Sequence, residues 1–189
     1  MKITGNEDLR VKKTIVSIRH AFEKLIIHTD YEKMDIKMLC EEAMINPKTF
    51  LHYYESIDEL LIEIQSEMAE DFIELVSKYN LPEEFDKLNR DFFTALSLKG
   101  ISYERILMSG NFGYTRFKAI SQVLDAVFKN NAKYNELDTF KKEVLINFMN
   151  TTSLDIYRKW VDEGKKIPLK DIIEMSNSLM QLGMKGFIG

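Results

Sequence analysis

Apolar residues return at steps of three and four over residues 11–28, where Ile15, Ile18, Phe22, Leu25 and Ile26 fall on one stripe. That spacing predicts an amphipathic helix with a single buried face. Its entrance is basic, carrying Arg10, Lys12 and Lys13. After "HTDYEK" the pattern restarts, and Asp35 is positioned to accept the orphan backbone N–H groups of a short second helix bearing Ile36, Leu39, Cys40 and Ala43. "MIN" then interrupts the periodicity. Asn46 suits an N-cap and Pro47 the first helical position, where a missing N–H costs nothing, so "NPKTFLHYY" predicts a third helix. Two short helices across a three- or four-residue turn make a helix-turn-helix.

Ser56 and Glu59 have the spacing of a capping box ahead of a long helix. Its stripe of Ile57, Leu60, Leu61, Ile64, Met68, Phe72, Leu75 and Val76 continues to about residue 79, long enough to link two subdomains. Past "NLP" at 80–82 the pattern predicts a helix over 83–97, a short one near 102–109, a break at "SGNFG" and another helix over 114–130. From 137 to 163 apolar side chains including Phe140, Val144, Leu145, Phe148, Tyr157 and Trp160 occupy several faces, more than one buried stripe accommodates, which implies a partner. The last helix starts near Leu169 and carries Ile172, Met175, Leu179 and Met180, with Ser176, Gly183 and Gly186 as small gaps that permit close helix approach. The reading is all-α with about nine helices: a three-helix helix-turn-helix domain over 1–56 and a larger helical domain over 57–189.

Composition narrows the function classes. Three prolines and eight glycines in 189 residues, with 45% hydrophobic content, favour a helical protein with a real core. The single cysteine, Cys40, leaves no partner for an intrachain disulfide and reads as a small buried hydrophobe. No lysine-flanked apolar leader opens the chain and no apolar run approaches the roughly 18–20 residues that cross a bilayer, so a cytoplasmic protein without membrane contact is expected. His20, His28 and His52 are too far apart for a local metal motif, and neither a metal nor a cofactor is expected. Nor does any nucleophile–base constellation or phosphate loop suggest an enzyme. A net charge of −4 argues against a general nucleic-acid coat protein, although residues 1–54 carry nine lysines and arginines against eight acids.

On the helix beginning at Pro47, the spacing assigns Phe50, Leu51 and Tyr54 to the face that packs on the first two helices and leaves Lys48, Thr49, His52 and Tyr53 outward. A lysine for phosphate, a threonine for base edges, a histidine and a tyrosine compose a plausible reading surface for the major groove. Lys37, on the preceding helix, is placed to reach the backbone across that groove.

With these residues in register, from the basic step before "TIVSIRHAFEKLI" through "DIKMLCEEA" to "KTFLHYYESIDELL", residues 10–61 resemble the DNA-binding domain of the TetR family of bacterial transcription regulators. The family run "TLYHHFPSKEEL" aligns with Thr49, Phe50, His52, Tyr53, Tyr54, Ser56 and Leu60. Three positions depart from it: Met44 stands where the family has a turn glycine, Leu51 where it has a packed tyrosine, and Ile57 where it has a phosphate-gripping lysine. "IYRKWVDEGKKIPLKDIIEMSNSLMQLGMKG" is similar to the end of a subgroup common in Firmicutes.

The resemblance implies a DNA-binding set of Lys12, Lys13, Asp35, Lys37, Asn46, Pro47, Lys48, Thr49, His52 and Tyr53. It also implies a homodimer joined through its last two helices, with Phe140, Val144, Trp160, Ile172, Met175, Leu179 and Gly183 as interface candidates. Such a dimer sets two recognition helices roughly 34 Å apart on a palindromic operator in double-stranded DNA. The helices between are expected to hold an unknown small apolar effector, with Phe92, Phe93, Met108, Phe112, Tyr114, Phe117, Phe148 and Tyr157 as pocket candidates, though aromatics at these positions also serve as plain core. The expected activity is ligand-responsive regulation, most often repression. The near-neutral N-terminal domain and Ile57 keep a second reading open, a co-regulator of the same fold acting through protein contacts with weak or no DNA binding.

Overall fold

The structure, a computed structural model, describes residues 9–109 and 114–188, with side chains of the second stretch from residue 119 onward. It contains α1 (Leu9–His28), a 3-10 turn (Tyr31–Lys33), α2 (Ile36–Ala43), α3 (Pro47–Tyr53), α4 (Ile57–Val76), α5 (Phe85–Leu98), α6 (Ile101–Met108), α7 (Tyr114–Phe128), α8 (Ala132–Glu136), α9 (Thr139–Asp162) and α10 (Leu169–Ile188). The described residues form no strand. The chain divides into two compact units, one of Met1–Met68 with Lys99–Phe112 and one of Ala69–Leu98 with Gly113–Gly189.

In the first unit, α1 turns Ile15, Ile18, Phe22 and Ile26 inward, where they bury fully beside Leu39 and Cys40 of α2, Phe50 of α3 and Leu60 of α4. Each such side chain contributes about 1.5–3 kcal/mol by leaving water. The Ser17 hydroxyl donates to the Ala43 carbonyl (2.9 Å), tying α1 to the end of α2. Arg19 pairs with Glu67 at 2.5 Å and Lys24 with Glu42 at 3.1 Å. The Lys24–Glu42 pair is well exposed, and such pairs are worth at most about 1 kcal/mol. Cys40 is a buried free thiol whose pKa is raised by desolvation, which suits its reading as a small hydrophobe.

One polar residue lies within the apolar stripe of α4. Gln65 is 3% exposed, and its side-chain amide donates to the carbonyls of Ile106 (2.8 Å) and Ser109 (2.9 Å). A helix leaves its last carbonyls short of intrahelical partners, and here a side chain 41 and 44 residues earlier donates to two of them, adding to the Ser109 N–H that already reaches Ile106 (3.3 Å).

The turn between α2 and α3 is a Schellman closure: the Ile45 N–H donates to the Cys40 carbonyl (3.0 Å) and the Met44 N–H to Glu41 (3.2 Å). Met44 sits in the left-handed region (φ 54°, ψ 44°) and is 91% exposed. A side chain there meets the local carbonyl, which is why glycine is the usual occupant. Met44→Gly is therefore expected to stabilise the protein by about 0.5–1 kcal/mol, because relief of the left-handed strain outweighs the extra freedom of the unfolded chain. Urea unfolding of the two proteins side by side tests it, and a lower midpoint for the glycine variant would contradict the account.

In the second unit, Val76, Leu81, Phe85, Leu88, Leu124, Phe128, Leu145, Met149, Met180 and Met184 form the core. Asn89 of α5 is buried there and donates to Ser176 (3.1 Å) and Asn177 (2.8 Å) of α10. The sequence pattern did not anticipate α8. It is capped by Asn131, whose side chain accepts from the Tyr134 N–H (2.9 Å), and it brings the Tyr134 hydroxyl to Asp125 (2.6 Å). That bond holds the Asp125 carboxyl below its ordinary value.

Helix α9 closes with a second Schellman motif, in which Lys165 N–H donates to the Trp160 carbonyl (2.9 Å) and Gly164 (φ 75°) to Val161 (2.9 Å). The Trp160 indole N–H then donates to the Ile167 carbonyl (2.7 Å) across the turn into α10. The small gap read at Gly183 is real: a Cβ built there would lie 2.5 Å and 2.7 Å from ring atoms of Phe148. Glycine lets α10 come within contact of that ring.

Candidate nucleic-acid interface

Local chemistry forms the α2–α3 pair. The Asp35 carboxylate accepts from the Met38 N–H (2.8 Å) and starts α2; the Asn46 side chain accepts from the Lys48 N–H (2.9 Å) and, with Pro47 next, starts α3. Both residues were expected in a DNA-binding set, and the structure gives both a capping role. The Lys48 backbone N–H is engaged by Asn46, so any phosphate contact from this residue falls to its side chain.

Two rings anchor α3. Phe50 is 0% exposed and Tyr54, four residues on, is 1% exposed, with ring centroids 5.7 Å apart. The Tyr54 hydroxyl donates to Glu63 of α4 (3.1 Å), and burial pushes its pKa up. With this pair inward, rotation of about 100° per residue turns Pro47, Leu51, Lys48 and His52 onto one arc of about 140° on the far side. All four are exposed.

Leu51 thus departs from the expectation that it packs with Phe50 and Tyr54: it is 52% exposed and stands where the inner face meets the outward one. The reason is geometric. A pair at i, i+4 fixes the inner face, and the residue after its first member falls about 80° from the midline of that pair, at the border with solvent. Thr49 and Tyr53 are half-buried on the flank, Tyr53 with its ring edge-on to His52 at 4.9 Å.

Lys37 is exposed on α2 with its ammonium 4.0 Å from the Glu41 carboxylate. Lys12 and Lys13 line a groove of about 440 Å³ with Leu9, Val16, His20 and Met44, a set that includes no residue of α3. At the start of α4, Glu59 N–H donates to Ser56 (3.2 Å), while the Glu59 carboxylate accepts from Glu55 N–H (2.7 Å), one residue earlier than a capping box requires. Ile57 is buried, and Asp58 beside it accepts a short hydrogen bond from Tyr31. Burial, and then that bond, raises the Tyr31 pKa.

The other candidate sets lie mainly in the second unit. Phe92, Phe93 and Tyr157 form a run of edge-to-face rings that begins at Phe72 and ends at Trp160, with spacings of 4.9 Å (Phe72 to Phe92), 5.9 Å, 5.4 Å and 5.5 Å. Phe93 and Tyr157 are fully buried, as core residues are. Phe148 faces Gly183, and Met108 belongs to the first unit. Phe112 lies outside the described residues, as do the side chains of Tyr114 and Phe117. Of the expected interface residues, Phe140, Val144, Met175 and Leu179 are exposed on α9 and α10, whereas Trp160 and Ile172 are buried within the chain. A surface groove of about 600 Å³ runs between these two helices, lined by Ile156, Trp160, Ile167, Ile172 and Met175.

Among the described residues there is no cluster of side chains suited to hold a metal ion, and no helix is long and apolar enough to cross a membrane.

An all-helical chain with a capped helix-turn-helix near its start and a larger helical unit after it has the fold of TetR-type transcriptional regulators, and solved structures agree. NalD of Pseudomonas aeruginosa, a secondary repressor of a multidrug efflux pump, is similar with a TM-score of 0.71 at 14% identity, over 93% of this chain and 98% of that one. The regulator FadR from Bacillus subtilis, solved with stearoyl-CoA, matches with a TM-score of 0.68 at 18% identity, over 88% of this chain and 96% of its own. A TetR-family transcriptional regulator from Haemophilus influenzae gives 0.56 at 17% identity, over 89% and 97%. No protein-family model and no curated sequence matches the chain.

Proposed function

We propose that this protein is a DNA-binding transcription regulator of the TetR type, acting as a homodimer on a palindromic operator and responding to a small apolar effector. The observation that carries the DNA half is the outward face of α3, where Lys48 and His52 stand exposed on a helix pinned by Phe50 and Tyr54. Lysine is a phosphate ligand and histidine a donor to base or phosphate oxygen, while α3 itself contains no acid. Thr49 and Tyr53 on the flank, with Lys37 on α2, extend the contact to the neighbouring backbone.

The exposed apolar side chains of α9 and α10 support pairing of two copies through these helices, because a soluble monomer gains nothing from leaving Phe140, Met175, Leu179 and Leu182 in water. The effector half rests on likeness: FadR was solved with stearoyl-CoA, and an apolar ligand suits a unit rich in aromatic side chains. Such a ligand changes DNA affinity by binding one arrangement of the dimer better than another. The co-regulator reading keeps a specific observation in its favour, the buried Ile57 and paired Asp58 where a phosphate-binding lysine would strengthen the grip.

The test uses the full chain and a randomised duplex library, followed by fluorescence anisotropy on the enriched duplex at several salt concentrations. Specific binding that weakens with salt is expected. Lys48→Ala should lower the slope of log affinity against log salt by about 1, as loss of one phosphate contact does. Failure to enrich any sequence, or binding indifferent to salt and to Lys48, would shift the assignment to the co-regulator.

A further inference from the structure

We infer that Leu51 reads the C5-methyl group of a thymine in the major groove, making an apolar side chain a sequence-reading contact on the exposed arc of α3. The inference rests on the reading of α3 as the recognition helix. Leu51 is 52% exposed on a short helix whose other large apolar side chain, Phe50, is fully buried, and its neighbours on the outward arc, Pro47, Lys48 and His52, are exposed as well. The described residues leave about half of it uncovered, because Phe50 and Tyr54 already fill the inner side. When Lys48 draws α3 against the phosphates, the side chain one turn further on is carried toward the base edges.

Leucine has no donor or acceptor, so it earns contact only from the one apolar feature that the major groove offers, the methyl group of thymine. Over a G·C pair it would instead shield the N7 and O6 acceptors or the cytosine amino group from water without replacing their hydrogen bonds, which penalises the wrong base. Lysine and histidine next to it on the arc therefore fix position, and leucine discriminates.

The experiment starts from the duplex enriched from the randomised library by the full-length protein, and replaces each thymine singly by deoxyuridine, which removes the methyl group and leaves base pairing unchanged. One thymine position per half-site is expected to weaken wild-type binding about threefold to fivefold when replaced, the size of one buried methyl. At that position Leu51→Ala should bind thymine and uracil duplexes equally, while its salt slope stays that of wild type. The deoxyuridine series needs only the wild-type protein, so it can overturn the inference even if the variant is unstable, and Thr49→Ser, which removes the other methyl on this face, should leave the thymine preference intact. An enriched duplex on which no thymine-to-uracil change matters, or a Leu51→Ala protein that still prefers the methylated base, overturns the inference and leaves the regulator standing. If no duplex is enriched at all, both fail together.

Discussion

Phe50→Ala is expected to cost about 3–5 kcal/mol, the range for emptying a fully buried phenylalanine site. The side chain is 0% exposed and is the one fully buried residue of a seven-residue helix. A helix that short does not persist in water on its own propensity, since isolated helices below about 12–15 residues are marginal. Its helicity therefore depends on this ring and on Tyr54, which stacks against it. Total stabilities of native domains are about 5–15 kcal/mol, so the loss consumes a large share and should appear as a sharply lowered urea midpoint. Leu51→Ala, one residue along, should change stability by less than about 0.5 kcal/mol because the side chain is already outside. A small effect at Phe50 combined with a large one at Leu51 would mean that α3 is rotated from the orientation described.

Gln65→Leu is the second large effect. The substitution keeps the volume and removes the donor that serves two carbonyls at the end of α6. A buried acceptor left without a partner costs about 1–3 kcal/mol; here the Ser109 carbonyl loses the Gln65 donor outright, while the Ile106 carbonyl keeps only its longer bond from the Ser109 N–H (3.3 Å). Added hydrophobicity at position 65 works in the opposite direction, which makes the experiment decisive: a purely apolar view of the α4 stripe predicts that leucine stabilises, and the hydrogen-bond view predicts a net loss. Thermal unfolding followed by circular dichroism distinguishes them, and hydrogen exchange should locate the extra opening at Ile106–Ser109 if the second view holds.

Much of the fold was legible because its determinants are local. Asp35, Asn46 and Ser56 cap helices through bonds to residues two or three positions away, so type and spacing alone reveal them. The stripes of α1 and α4 were legible for the same reason, as periodicity is a property of the segment itself. Leu51 was not, because "KTFLHYY" admits two inner faces, one using Phe50 with Leu51 and one using Phe50 with Tyr54, and only tertiary packing chooses between them. Gln65 was invisible as a structural donor because its partners lie more than forty residues downstream. The α8 turn was overlooked because five residues carry too few periods for a hydrophobic pattern, although Asn131 three residues before Tyr134 was a usable signal.

The interface candidates divided along the same line. Phe140, Val144, Met175 and Leu179 remain on the surface, where an association could use them, but Trp160 and Ile172 serve the chain's own interior. A sequence pattern reports that a side chain is apolar and on which side of a helix it falls. It does not say whether the covering surface is the next helix or another molecule.

Trp160, whose indole N–H grips the carbonyl of Ile167, is the sole tryptophan in the protein. Its emission is consequently a built-in optical probe confined to one turn of the second unit, needing no label and no added chromophore. Far-ultraviolet ellipticity, by contrast, sums over every helix of both units. Denaturation followed by the two signals together separates cooperative collapse of the whole chain, for which the curves coincide, from stepwise melting, for which they part.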